Sequence, residues 1–480
     1  MSSCLRLRFG LLLTLIAIYV VLSLCWVRFA YGVAPNIIIA AYNEQSLRIL
    51  NWVFHGHRSL PVEHFLARWS AIAAAVLIAA LLHFLIVLFI ESTDRKYRLR
   101  LVDPPKSDLW GNSVLIAFSA AFLGLTAASW TRLDYSGYLY EWLLILDGRD
   151  PWYRTPYPGP PFNTYGPLFN AMAPLVWFNP LVNKLLFAFS YLVYLIWLIK
   201  DFAPRQGFVA VSWPWLGLWL LNPFPWVEIA YFGYFDVLVG IACVAAVHSL
   251  IDRKEGASGT YLGLGILLKY MPIVILPFLG FSEGRLHARL LSFCVGLVIF
   301  GLVVSVLIWG TSTFSPLMFA GTRYSHWSIY HILDSTHSPL RLFWDSTNAN
   351  SVDWLEKPFL VIGGLAVFVW CVIRRTGPAL SAVLAVLVTL LFYRAGYINY
   401  QMVPFLLILY WIVSERKWLE EHVTLVALLS GYFGVLALLE LVHWSLLTEE
   451  NLYSNIVMFK FLLGCAILTG LMRLSAKRSN

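Results

Sequence analysis

Long apolar runs separated by short polar segments dominate the pattern of the chain. A helix that spans a bilayer needs about 20 mostly apolar residues, and fourteen runs approach or reach that length. They lie near 9–32, 66–91, 112–131, 164–182, 184–202, 207–223, 233–251, 259–281, 289–310, 357–374, 378–394, 402–415, 422–443 and 456–474. The pattern therefore predicts an all-α polytopic membrane protein with 12–14 transmembrane helices.

Short basic loops set the expected orientation, because lysine and arginine concentrate in the cytoplasmic loops of membrane proteins. Simple alternation over fourteen spans places most of the basic loops on one side, together with both termini, and we assign that side as cytoplasmic. The basic residues on it are Arg6, Arg8, Arg95, Lys96, Arg98, Arg100, Lys106, Arg285, Arg289, Arg374, Arg375, Arg416, Lys417, Arg473, Lys477 and Arg478. The loops near 33–65, 132–165, 311–356 and 395–401 then face the other side.

One basic group strains this alternation, which would place it on the outer side: Lys200, Arg205, Arg253 and Lys254. A segment between 164 and 281 that is re-entrant rather than spanning would relieve the conflict. The run 259–281 is the best candidate, because Lys269 and Pro272 interrupt its middle.

Composition excludes other classes of protein. Of the 480 residues, 60% are hydrophobic and only 12% are charged, too apolar for a disordered chain and too poor in charge to cover the surface of a soluble two-domain protein. The net charge of +8 is explained by basic cytoplasmic loops rather than by nucleic-acid binding. The six cysteines show no CxxC spacing, so we expect neither disulfides nor a cysteine metal site.

The loop 132–168 carries the densest polar chemistry. Asp134 follows the end of a predicted span, a short amphipathic run reaches Leu146, and Gly148 and Pro151 begin a turn. We expect short amphipathic helices here, lying at the outer membrane interface. Asp134 suits a general base that takes a proton from an acceptor hydroxyl. Alternatively, Asp134 caps the amphipathic helix.

The order of motifs resembles that of a known family. Asp134 is followed four residues later by Tyr138, then by Gly-Arg-Asp-Pro-Trp-Tyr over 148–153 and Tyr-Gly-Pro-Leu over 165–168. Later segments over 183–187, 218–223 and 263–272 also fit. Together they resemble the GT-C glycosyltransferases, in particular the polyprenol-phosphate-mannose-dependent group called glycosyltransferase family eighty-seven. The mannosyltransferases that add the first mannose of GPI anchors are a more distant likeness. The likeness covers about 112–310.

The resemblance implies a GT-C-like bundle in which basic residues hold the phosphate of a lipid-linked sugar donor. It makes Asp134 the expected general base and Tyr138 a donor-site candidate. Two features depart from the family pattern. Gly-Tyr-Phe-Asp stands over 233–236 where the family often has Gly-Gln-x-Asp, and two predicted spans precede the first core span.

Lys269 and Asp236 are two further donor-site candidates. A lysine ten residues into an apolar run costs roughly 2.5–3.5 kcal/mol on insertion scales, and a donor phosphate would offset this cost. Snorkelling, or pairing with Glu228 or Asp236, explains Lys269 equally well. Asp236 either positions a sugar or caps a helix.

The outer loops supply the remaining candidates for donor contact, which are Arg323, His331 and Arg394. Arg323 and His331 lie in the loop 311–356, where the histidine spacings are poor for zinc, so we predict no metal site and no required cofactor. Arg394 begins a compact polar turn on the side that carries Asp134. Interface anchoring is its commoner explanation.

These observations predict an inverting hexosyltransferase, most simply a mannosyltransferase. It would use a polyprenyl-phosphate sugar donor and a lipid-linked or surface glycan acceptor outside the cytoplasm. The alternatives are a lipid-oligosaccharide flippase or transporter, and a surface-glycan polymerase or ligase. The expected divisions are 1–110 (two additional N-terminal helices), 111–310 (catalytic core), 311–356 (outer loop) and 357–480 (C-terminal helices). The absence of an Asn-x-Ser/Thr site favours a cell membrane over the endoplasmic reticulum.

Overall fold

The computed structural model describes eleven stretches of the chain: 108–129, 133–146, 150–152, 164–177, 179–202, 222–320, 328–330, 353–394, 396–415, 423–445 and 450–478. Every regular element within these stretches is helical, which confirms the all-α prediction for this part of the protein. The predicted spans 9–32 and 66–91, and nearly all of 207–223, lie outside the described residues.

The longer helices are, in chain order, α1 (Asp108–Ala128), α2 (Leu133–Leu146), α3 (Val182–Trp197), α4 (Asp236–Ile251), α5 (Glu255–Leu268), α6 (Ala288–Trp309), α7 (Asp353–Arg374), α8 (Pro378–Phe392), α9 (Met402–Ser414), α10 (Val423–Ser445) and α11 (Glu450–Arg478). Short α, 3-10 or π-helical turns lie between them at Pro167–Asn170, Ala173–Trp177, Leu198–Phe202, Pro223–Pro225, Trp226–Tyr231, Met271–Ile275, Leu276–Gly280, Ser282–Gly284, Gly310–Phe314, Ser315–Ala320 and Ile398–Gln401.

Two stretches in the described part of the chain are long and apolar enough to cross a bilayer, Ala288–Leu317 and Glu356–Arg374, and several shorter apolar helices accompany them. The total of 12–14 crossings stays a prediction. The run 164–182 does not form the continuous helix that its apolar content predicted. It is divided into Pro167–Asn170 and a 3-10 turn at Ala173–Trp177. Pro167 begins the first piece, where its missing N–H has no partner to lose, and Pro174 lacks the N–H that a continuing helix needs.

The chain forms two compact units. The first comprises Met1–Ser136, Phe178–Tyr234 and Ile412–Leu447, and the second comprises Gly137–Trp177, Phe235–Trp411 and Thr448–Asn480. The divisions expected from the sequence, at 110, 310 and 356, stay a prediction.

Aromatic packing joins α1 to its neighbours in the first unit. Phe118 and Phe122 of α1 meet the Trp226 ring edge-on, with centroids 5.3 and 5.2 Å apart, and Phe122 also lies 5.4 Å from Tyr191 of α3. Asn222 caps the turn that follows it by accepting from Phe224 N, and its amide donates to the Ser430 carbonyl of α10. A polar side chain thus fixes the turn that carries Trp226.

Helices α5 and α6 pack closely against each other in the second unit. Gly259 and Gly263 of α5 lie against Cys294 and Leu297 of α6, and Gly301 of α6 lies against Leu267. The contacts advance together along both helices, so α5 and α6 run side by side in the same direction. A Cβ at Gly259 would overlap the Leu290 carbonyl oxygen, which explains why glycine stands there.

The chain between α5 and α6 therefore returns to the end from which α5 started. The backbone N–H of His287 donates to the Gly280 carbonyl over 2.9 Å, and His287 Nδ1 lies 2.9 Å from Glu255 Oε1 at the start of α5. The outward arm ends at Leu268 and the return arm ends near Gly284. Residues 255–284 thus form a helical hairpin whose tip lies at the break that the sequence predicted at Lys269. That the run 259–281 is re-entrant in a membrane stays a prediction.

The hairpin relieves the conflict that simple alternation produced for Arg253 and Lys254. Alternation placed them on the opposite side from Arg289, but the structure places all three around one recess of about 330 Å³. The reason is that an arm that leaves and returns adds no net crossing. Arg375 packs over Gly284, where the return arm ends, so a further basic loop reaches the same end of this unit. We call it the basic end.

Candidate functional site

A buried ion pair lies at the other end of the second unit. Lys269 Nζ is 2.5 Å from Asp236 Oδ1, and the two residues are 4% and 0% exposed. Asp236 is the first residue of α4, and Lys269 is the residue at which α5 ends. These helices are antiparallel neighbours, so the end of one meets the start of the other. The structure thus joins two of the predicted donor-site residues, in the pairing that the sequence offered as an alternative.

Polar and aromatic groups complete the surroundings of this pair. Asn399 Nδ2 donates to Asp236 Oδ2 over 3.2 Å, so both carboxylate oxygens have a partner. The Tyr400 ring faces Lys269, with its centroid 3.8 Å from Nζ, and the Phe235 ring lies 5.3 Å away. A buried cation is tolerated when an opposite charge and a ring face replace its hydration. The turn 395–401, predicted to be a compact polar turn, therefore contributes directly to the site.

The Tyr-Gly-Pro-Leu motif docks on the tip of the hairpin. Gly166 N donates to the Leu268 carbonyl over 3.0 Å, and a Cβ at Gly166 would collide with the Leu267 carbonyl group. The Tyr165 ring lies 4.9 Å from Phe235 and 5.9 Å from Lys269 Nζ. The motif thus brings an aromatic side chain next to the ion pair, and glycine makes this close approach feasible.

Tyr138 belongs to the aromatic cluster on which Tyr165 packs. It is 1% exposed, and its ring makes edge contacts with Tyr165, Phe169 and Phe235 at 5.2–5.5 Å. The cluster holds Tyr138 in place beside Phe235, the residue before Asp236. Its contact with a donor stays a prediction.

Arg394 forms a second ion pair in this unit, with Glu356, a residue that the sequence analysis missed. Arg394 Nε lies 3.1 Å from Glu356 Oε2, and the Arg394 backbone N–H donates to Oε1 over 3.1 Å. Tyr330 donates to the neighbouring Phe392 carbonyl over 3.0 Å. Burial raises the pKa of Tyr330, and the Glu356 carboxylate adds to this effect, so the hydroxyl stays neutral. The sequence signal that could have identified Glu356 is its position directly before the apolar run 357–374.

Lys184 in the first unit was also missed as a site candidate, although it lies in a motif that carries the resemblance. It is fully buried, and its Nζ donates to the carbonyl oxygens of Ser129 and Tyr231, each at 2.8 Å. Its signal in the sequence was a lysine at the start of an apolar run.

The structure does not describe the side chains of three predicted site residues. Asp134 is the second residue of α2, but its side chain lies outside the description, and Arg323 and His331 lie wholly outside the described residues. Within the described stretches, no group of three histidine, cysteine or acidic side chains is placed to hold a metal ion.

Comparisons with known proteins agree with the resemblance deduced from the motifs. The chain is 28% identical over 168 residues to "GPI mannosyltransferase 1" of Emericella nidulans, a match that covers 34% of this chain and 36% of that protein. The chain thus matches about a third of the length of this relative. No solved structure matches.

The model of glycosyltransferase family 87 matches residues 163–395. That stretch contains Tyr165, Asp236, Lys269 and Arg394, but begins after Asp134 and ends before Asn399. Over just under half of its length, this chain therefore matches glycosyltransferase family 87, as its motifs predicted.

Proposed function

We propose that the protein is a polytopic membrane hexosyltransferase that uses a polyprenyl-phosphate sugar, most simply a mannose, as its donor. The match to glycosyltransferase family 87 over 163–395 is the observation that carries this proposal. The resemblance to a GPI mannosyltransferase supports the choice of sugar. The acceptor would be a lipid-linked or surface glycan.

The distribution of charge in the second unit supports an extracytoplasmic site. Arg253, Lys254, Arg289 and Arg375 are exposed and meet at the basic end, as cations do on the cytoplasmic side. The Lys269–Asp236 pair lies at the far end of α5, whose 14 residues extend about 21 Å at 1.5 Å per residue. That distance is most of a hydrocarbon core about 30 Å thick. We place the donor at this far end and the basic end in the cytoplasm.

Asp134 would act as the general base. It would take the proton of the acceptor hydroxyl as that oxygen attacks the anomeric carbon, and the polyprenyl phosphate would leave from the opposite face with inversion. No nucleotide sugar is available outside the cytoplasm, which is why the donor is lipid-linked. Asp134 is the second residue of α2, so its backbone belongs to the first turn of that helix.

Lys269 and Arg394 would meet the donor phosphate without leaving their carboxylates. An ammonium has three N–H donors, of which Asp236 takes one. Asp236 and Glu356 would keep the two cations in place before the donor arrives, which is the preorganisation that makes electrostatic stabilisation of a leaving phosphate effective. Arg323, His331 and Tyr138 remain further donor contacts under this proposal.

A flippase or transporter is the second candidate, and the interrupted hairpin with a buried charge pair favours it, because transporters use such features near the membrane centre. One assay separates the two. Purified protein is reconstituted in vesicles with radiolabelled polyprenyl-phosphate mannose and a membrane lipid extract. A new glycosidic bond supports the transferase. Transbilayer movement of the donor without bond formation supports the transporter and refutes our proposal.

A further inference from the structure

Lys184 occupies an unusual environment in the first unit. Its side chain is 0% exposed, and its ammonium is held by oxygen atoms from two segments of backbone. These are the Ser129 carbonyl at 2.8 Å, the Ser129 hydroxyl at 3.2 Å and the Tyr231 carbonyl at 2.8 Å. A buried ammonium is costly, and lysine is rarely retained at such a position without a role.

The backbone of Lys184 takes part in a second set of contacts. Its N–H donates to the Tyr135 hydroxyl over 3.1 Å, and that hydroxyl donates to the Pro180 carbonyl over 2.5 Å. Burial raises the pKa of Tyr135, so its hydroxyl keeps the proton it donates. One lysine thus holds Ser129 through its side chain and Tyr135 through its main chain.

Ser129 and Tyr135 stand on either side of Asp134 in the sequence. Ser129 directly follows α1, and Tyr135 directly follows Asp134 in the first turn of α2. The Ser129 hydroxyl also donates to the Ala230 carbonyl over 2.7 Å. The chain is therefore fastened to the same buried lysine on both sides of Asp134, at Ser129 and at Tyr135.

Gly233 makes room for this lysine. It has a φ of +76°, which favours glycine, and a Cβ there would lie 2.8 Å from Lys184 Cε. The motif that reads Gly-Tyr-Phe-Asp over 233–236 thus has a structural reason for its first residue: the stem of Lys184 fills the space above it.

We propose that Lys184 is a positioning residue for the transfer reaction, which sets the place of Asp134 by fixing Ser129 and Tyr135. This inference rests on the proposed function, in which Asp134 is the general base. Lys184 acts through the backbone that carries Asp134 and need not contact the substrate. A displacement of about 1 Å in a catalytic group can lower turnover on the order of 10²-fold. The contacts of Lys184 with Ser129 and Tyr135, which we call the clamp, would therefore matter for catalysis.

Two variants test the clamp from its two ends. Lys184→Met keeps the stem over Gly233 and removes the ammonium, whereas Tyr135→Phe removes only the hydroxyl that Lys184 N and Pro180 O share. Each variant is purified in detergent, and kcat and KM are measured with polyprenyl-phosphate mannose on the folded fraction. We expect kcat to fall on the order of 10²-fold for Lys184→Met and about 10-fold for Tyr135→Phe, with KM for the donor changed less than about twofold.

Ser258→Ala is the matched control for lost stability. Ser258 is fully buried, and its hydroxyl donates to the Ala246 carbonyl over 2.7 Å in the second unit. It therefore loses a buried contact with backbone, as Lys184→Met does, but near no predicted catalytic residue. We expect a lower melting temperature and normal kcat per folded molecule.

The outcomes separate this inference from the proposed function. If Lys184→Met and Tyr135→Phe lower the melting temperature but keep wild-type kcat, Lys184 is structural and the inference is wrong, while the transferase assignment stands on the wild-type activity. If Asp134→Asn also keeps wild-type kcat, Asp134 is not the base and Lys184 has nothing to position. If Lys184→Met does not fold, Tyr135→Phe alone decides.

Discussion

The two ends of the second unit use the same kinds of charged residue in opposite ways. At the basic end, Arg253, Lys254 and Arg289 are exposed around an open recess. At the other end, Lys269 and Arg394 are buried, and each has a carboxylate within 2.5–3.1 Å. Water, together with the exposed Asp252 carboxylate 3.1 Å from Lys254 Nζ, solvates the first group, whereas Asp236 and Glu356 replace water for the second. The two ends thus differ in the burial of their ion pairs, and a cation buried together with its carboxylate marks the end at which we propose that the donor binds.

The largest expected effect is a difference in thiol labelling between the two ends of α6. Ala288 and Thr311 are both exposed and lie at the start of α6 and just beyond its end. The 22 residues of α6 extend about 33 Å. In intact cells, we expect a cysteine at Thr311 to react with an impermeant thiol reagent and one at Ala288 to remain unlabelled until the membrane is opened. The reverse pattern would place Lys269 on the cytoplasmic side and remove the argument for a lipid-linked donor.

Lys269→Met should give the largest loss of stability. The change leaves Asp236 buried without its cation, and breaking a buried pair in this way costs about 3–5 kcal/mol. Thermal unfolding in detergent would measure it. The double variant Lys269→Met/Asp236→Asn removes both charges and should recover much of the loss. If Lys269→Met alone were as stable as the wild type while donor binding failed, the pair would be dispensable for folding and Lys269 would serve the donor alone.

Arg394→Met should cost less, about 1–3 kcal/mol for a carboxylate that loses one of its partners. Glu356 would still accept from the backbone N–H of residue 394, which the substitution retains. The matched change Glu356→Gln should cost a similar amount. If Arg394→Met left stability unchanged but weakened donor binding tenfold or more, the arginine would act chiefly on the phosphate.

Arg289→Gln at the basic end should change stability by no more than about 0.5 kcal/mol, because an exposed cation has water as its partner. The same thermal unfolding experiment measures this change beside Lys269→Met. A loss above about 1.5 kcal/mol would show that the recess at the basic end is a structural charge network, and the two ends would then not differ in this respect.

Apolar length predicted most of the helices, because burying backbone in lipid or in a core requires satisfied hydrogen bonds over a fixed length. The break at Lys269 and Pro272 correctly located the tip of the hairpin. The continuous helix expected over 164–182 does not form, because apolar content outweighed the three prolines of this run in the prediction. Simple alternation would place Arg253 and Lys254 opposite Arg289, a conflict visible in the sequence, because it counts every long run as a crossing. Only tertiary contacts reveal a returning arm.

The partners of buried charges were harder to predict. Asp236 was one of two carboxylates considered for Lys269, but Glu356 was overlooked as the partner of Arg394, 38 positions away. Lys184 lies in the motif over 183–187, but the sequence did not mark it as a candidate site residue. Two of its acceptors are backbone carbonyls, which every residue possesses. Sequence spacing carries no information on which carbonyls will converge, so such sites emerge only from the fold.

Turnover of Asp134→Asn tests the central claim most directly. The substitution preserves size and a capping oxygen but removes the base. We expect normal purification and a loss of transfer from polyprenyl-phosphate mannose of roughly 10²–10⁴-fold, as for a lost general base. If the folded variant kept more than about a tenth of wild-type turnover, Asp134 would be a residue of the helix terminus only, and the proposed mechanism would be wrong.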